Sequence, residues 1–90
     1  MSSIEEKLET LMNIQMKLLE LKDKMDQDKN HVEGEISAMK DRWNDSQLAL
    51  FKSDAYLGKF YATLDELQNR IDKIAGFLSN KMSTLTTHRN

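Results

Sequence analysis

RWNDSQLALF, Arg42 to Phe51, sits at the middle of this chain and holds its single tryptophan, Trp43. Three residues follow, Asn44, Asp45 and Ser46, whose side chains compete for backbone hydrogen bonds and make poor helix interiors. Asn suits the left-handed conformation that ends a helix. Asp45 or Ser46 suits the start of the next one, where a side-chain oxygen accepts from free amides. A chain that reverses at this point is a hairpin, and one that passes straight through is a rod.

Both sides of the stretch carry a heptad pattern. Upstream, Ile4, Leu11, Leu18, Met25, Val32 and Met39 recur every seven residues. Their companion series is Leu8, Gln15, Lys22, Lys29, Ile36 and Trp43, apolar at its ends and polar in its middle. Met12, Ile14, Leu19 and Leu21 widen the apolar surface of the early turns. Downstream, Leu50, Leu57, Leu64, Ile71, Leu78 and Leu85 form one series, and Phe60, Leu67 and Ile74 read as its companion. Such a 3.5-residue period is the signature of helices wound on helices. Ser2 or Ser3 is placed to cap the first helix, with Glu5 and Glu6 near its positive end. Gly34, Gly58 and Gly76 fall inside helical pattern, where glycine marks local tolerance or a close approach.

The register runs through the centre without a skip, so one continuous helix of roughly 120 Å would also satisfy it. The polar triplet, with Ser46 and Ser53 at core positions, favours reversal. The expectation is therefore all-α: two long antiparallel helices in one domain, residues 1–90, pairing further into a four-helix assembly. The first helix is expected over about 3–43, the turn over 44–46, the second helix over 47–85 and a frayed tail over 86–90. The alternative is a single continuous, parallel coiled-coil helix serving a structural or adaptor role. Residues expected to bind a partner are Leu11, Leu18, Met25, Trp43, Leu50, Phe60, Leu64, Leu67 and Ile71.

Composition narrows the function. Hydrophobic residues make up 39% and charged residues 31%, with no proline, a mix suited to long helices. Cysteine is absent, which excludes disulfides and thiolate metal sites. A net charge of -2 with both signs interspersed is unlike the basic footprint of a nucleic-acid binder. No apolar stretch is long enough to span a bilayer. The start, MSSIEEKLET, lacks the basic and apolar regions of a cleavable export signal. Cytoplasmic synthesis is therefore expected, with any export by a signal-peptide-independent route. His31 lies in a solvated stretch, and Asp23, Asp26, Asp28 and Glu33 alternate with lysines without calcium-loop spacing. No catalytic residue, metal ligand or cofactor is expected. Lys22 and Lys29 at seam positions weaken a simple homodimeric seam and suggest a partner with carboxylates opposite them.

The layout of about forty helical residues, a tryptophan at the bend and about forty more resembles the WXG family. These are small helical hairpins, the early-secreted-antigen-like substrates and partners of type VII secretion. Trp43 matches the family's Trp-x-Gly tryptophan, and Asp45 stands in place of its glycine, so the turn motif here is Trp43, Asn44 and Asp45. Ser46 is the small residue that commonly follows, and Phe51 falls near the aromatic position. Many members carry Tyr-x-x-x-Asp or Glu after the second helix as part of an export signal. Here that spacing, Tyr61 to Asp65, lies early in the second helix instead. The resemblance implies a divergent, non-catalytic relative. It would form a homodimer, or pair with a related hairpin or with the helical domain of a secreted effector.

Overall fold

Ser3 begins the first helix. Its hydroxyl oxygen accepts from Glu6 N at 3.1 Å, and Glu5 and Glu6 occupy the first turn, where negative charge meets the positive helix end. The computed structural model describes residues 3–89; Ser2, the other expected cap, and Asn90, the end of the expected tail, lie outside them. Helix α1 spans Ile4–Ala38 and gives way to a 3-10 turn at Met39–Asp41. Helix α2 is short, Asp45–Lys52, and α3 spans Leu57–Arg89. No strand occurs among the described residues.

The reversal starts earlier than expected, at Met39, whose amide is shared between the Ile36 and Ser37 carbonyls. The Met39 carbonyl then accepts from both Arg42 N (2.9 Å) and Trp43 N (3.1 Å), which tightens the corner. Asn44 does not take the left-handed conformation; its backbone is extended, φ -73° and ψ 164°. It is the N-cap of α2, a role expected of Asp45 or Ser46. Gln47 N donates to Asn44 Oδ1 at 2.8 Å, and Asn44 N donates to Gln47 Oε1 at 3.2 Å, a reciprocal capping box. The short side chain of Asn44 reaches the amide three residues on, which frees Asp45 to sit in the first turn against the helix dipole. Asn44→Ala removes half of this box, and a loss of about 1 kcal/mol is expected in chemical denaturation followed by circular dichroism.

A second corner, unforeseen in the sequence reading, interrupts the second helix at Ser53–Tyr56. Ser53 N and Oγ both donate to the Leu50 carbonyl, at 3.1 and 2.6 Å, and close α2. The Ser53 carbonyl accepts from Tyr56 N (3.0 Å) and Gly58 N (2.9 Å), which starts α3 on a new axis. At the other end α3 continues to Arg89, where a frayed tail was expected. Thr84, Thr86 and Thr87 each donate a hydroxyl to the carbonyl four residues back, so these side chains bond within the helix.

Antiparallel packing of α1 on α3 is established by bonds that descend one helix as they climb the other. Gln15 Nε2 donates to Ala75 O (2.9 Å) and Ser79 Oγ (2.7 Å). Lys22 Nζ reaches both carboxylate oxygens of Asp72 at 2.8 Å, and Gln68 Nε2 donates to Asp26. The chain is a hairpin with Cα extents of 65 × 19 × 18 Å, about half the length of the alternative rod.

Candidate interaction surface

The seam of the hairpin uses the two upstream series as read. Ile4, Leu8, Leu11, Gln15, Leu18, Lys22, Met25 and Lys29 are half-buried and Ile36 is buried; Val32 alone stays exposed. On α3 one series is as expected: Leu57 and Leu85 are half-buried, and Leu64, Ile71 and Leu78 are buried. The companion is not. Tyr61, Gln68, Ala75 and Met82 fill it, while Phe60, Leu67 and Ile74 lie one residue back and are exposed. The corner at Ser53–Tyr56 restarts the helix, so α3 need not keep the phase that α1 would extrapolate. The apolar arc of α3 is also wider than one neighbour covers, and Phe60, Leu67, Ile74 and Phe77 are left exposed.

The nine residues expected to bind a partner therefore divide. Leu11, Leu18, Met25, Leu64 and Ile71 hold α1 to α3 within the chain. Leu50, Phe60 and Leu67 are outward, at 58%, 51% and 50% exposed. Trp43 is half-buried, packed edge to face on Phe51 with ring centroids 5.2 Å apart. Leu48, four residues past the Asn44 cap, is half-buried too, so Trp43 and Leu48 hold the positions of a hydrophobic staple. With Gln47, Leu50 and Tyr56 the Trp43–Phe51 pair lines a shallow apolar cleft at the bend. Tyr56 and Phe77, both exposed, went unnoticed in the sequence because neither falls on a heptad series.

Two flanks run along the hairpin, one on each side of the seam. The first carries Ile14 and Leu21 of α1 with Phe60, Leu67, Ile74 and Phe77 of α3, all exposed. The second carries Met12, Met16 and Leu19 of α1. The polar rungs Asp26–Gln68, Lys22–Asp72 and Gln15–Ser79 cross the seam on this second side. Lys22 thus finds its carboxylate inside the chain, not on a partner. That hydrogen bond, with Asp72, Asp26 and Asp23 nearby, raises its pKa above the ordinary 10.5 despite an opposing desolvation. Lys29 lies over the Tyr61 ring, 5.1 Å from its centroid.

Tyr61 and Asp65, the candidate export signal, are placed differently. Asp65 is exposed. Tyr61 is half-buried in the seam, and its hydroxyl is shielded from solvent without a hydrogen-bond partner. Burial, reinforced by Glu33, raises its pKa above 10.0. Both raised groups act in the same direction. Above about pH 10 the unfolded chain releases protons that the folded chain retains, so stability falls as pH rises through that range. Tyr61→Phe removes a buried polar atom that lacks a partner. It should leave stability unchanged or raise it by up to about 1 kcal/mol, and should shift alkaline unfolding to higher pH. Circular dichroism between pH 8 and 12 measures both.

Among the described residues no helix is long and apolar enough to cross a membrane, and no cluster of three or more His, Asp or Glu is arranged to hold a metal ion. Comparison with protein-family models, with curated proteins and with solved structures yields no match.

Proposed function

We propose that this chain is a non-enzymatic helical module for protein–protein interaction. It would act in type VII secretion, as a substrate or as the targeting partner of a secreted toxin. The observation that carries the interaction reading is the unburied surface. The chain exposes 7099 Å². A compact monomer of 10.5 kDa exposes about 5,400 Å², so the hairpin leaves about 1,700 Å² more in contact with water. A standard interface covers about 800 Å² of each partner. The excess includes the apolar flanks, and docking a second hairpin there yields the four-helix arrangement.

The secretion reading rests on the resemblance: two long helices, Trp43 at the bend, and the Tyr61–Asp65 spacing. A parallel coiled-coil adaptor is the weaker reading, because a chain folded back on itself presents flanks and not a single continuous seam. Affinity purification of the full chain from its own cells tests the proposal. The expected companion is a neighbouring gene's helical hairpin or the helical domain of an effector. Phe60→Asp with Leu67→Asp should abolish that recovery while leaving the helical spectrum intact. Recovery without loss in the double variant would overturn the assignment of the surface. Unchanged export of the companion in cells lacking this chain, together with failure of this chain to leave the cell, would overturn the secretion reading.

A further inference from the structure

The two flanks differ in charge as sharply as they agree in apolarity. On the flank of Met12, Met16 and Leu19, α1 also presents Glu9, Asp23, Asp26 and Glu33, and α3 presents Asp65 and Asp72. Helical spacing places no lysine or arginine there; the seam residue Lys22 is engaged by Asp72. On α3 the rest of this flank is small: Ala62, Gly76, Ser79 and Ser83. A Cβ built on Gly76 would meet nothing within 4 Å, so the surface there is open.

The flank of Ile14, Leu21, Phe60, Leu67 and Ile74 has the opposite sign. It carries Lys7, Lys17 and Lys24 of α1 with Arg70 and Lys81 of α3, against Asp28 and Glu35 near the bend. Asp28 is already held by Lys24 at 3.1 Å. Lys81 lies over the Phe77 ring, 5.3 Å from its centroid, at the edge of the apolar band.

We infer that copies of this chain associate front to back, the basic apolar flank of one hairpin on the acidic apolar flank of the next. A two-fold dimer through either flank would set like charges against like, which is costly at an interface. Front-to-back contact instead brings lysines and Arg70 against carboxylates, and sets Phe60, Leu67 and Ile74 against the exposed Met12, Met16 and Leu19. Such contact is heterologous. Each copy keeps one flank open, so assembly extends beyond two chains with concentration. The excess exposed area is enough for two standard contacts per chain, one on each flank. The inference rests on the flanks being docking surfaces, as proposed above, and adds a second copy as the occupant and the direction of stacking.

Sedimentation equilibrium of the full chain and two surface variants tests it. Lys17→Glu with Arg70→Glu makes both flanks acidic; changing Glu9, Asp23, Glu33 and Asp65 together to Lys makes both basic. The wild type should exceed the mass of two chains as concentration rises, and should weaken between about 50 and 500 mM salt as charges are screened. Each variant alone should associate at least about tenfold more weakly. An equimolar mixture of the two should regain association, because it restores opposite signs at every contact. A wild type that stays single or stops at two chains, a basic variant that self-associates like the wild type, or a mixture that stays dissociated each overturns the inference. If a variant loses its helical spectrum, the wild-type mass and its salt dependence decide. A wild type that is single but still recovers a hairpin companion from cells removes this inference and leaves the proposed function standing.

Discussion

Ile71→Ala should lower the stability of the hairpin by about 2–4 kcal/mol, while Ile74→Ala, three residues away on the same helix, should lower it by less than about 1 kcal/mol. Ile71 is 6% exposed and lies against α1, where truncation leaves a gap that the facing helix cannot close without moving along its whole length. Ile74 is 39% exposed on the basic flank. In so small a domain each kcal/mol corresponds to roughly 4–8 °C in Tm, so the two variants should separate clearly in a melt. The measurement must be made at low concentration, where self-association does not shield Ile74. The rod, and the extrapolated register with it, requires Ile74 to be as sensitive as Ile71. Equal losses in the two variants would remove the observed seam from consideration.

Gly58→Ala should destabilise, and Gly34→Ala and Gly76→Ala should stabilise, although all three glycines look alike in sequence. A Cβ on Gly58 would lie 3.0 Å from the Ser53 carbonyl oxygen and 3.1 Å from its carbon, backbone atoms that cannot yield. The same carbonyl accepts the Gly58 amide at 2.9 Å, so any retreat breaks the bond that opens α3. A loss of about 1–3 kcal/mol is expected. At Gly34 and Gly76 a Cβ would meet nothing within 4 Å, and alanine there should gain up to about 1 kcal/mol from helix propensity. Denaturation midpoints of the three single variants provide the check. A gain at Gly58 would mean that the corner is not closed as described. A loss at Gly76 in the associated form alone would instead point to contact between copies at that position.

Helix content, hairpin topology and the α1 seam were legible in the sequence because each depends on short-range chemistry. A heptad of Leu, Ile and Met states which face of a helix is buried, and Asn44-Asp45-Ser46 favours reversal over the continuous helix that the unbroken register also allows. The choice of Asn44 as cap was legible in principle, since Gln47 three residues on completes the capping-box pattern. The second corner was not. Ser53–Tyr56 carries neither proline nor glycine, and Gly58 just beyond it falls inside a plausible heptad, so local propensity permits an unbroken helix.

Burial on α3 depended on a neighbour. The helix offers two overlapping seams, one through Phe60, Leu67 and Ile74 and one through Tyr61, Gln68, Ala75 and Met82. Hydrophobicity alone favours the first. The folded chain takes the second, and in that rotation Gln15, Lys22 and Asp26 meet Ala75 O, Ser79, Asp72 and Gln68 across the seam. Periodicity along one strand of sequence reports which side of a helix is apolar. It carries no information on how far that helix turns about its own axis when another helix, with polar groups to satisfy, lies against it.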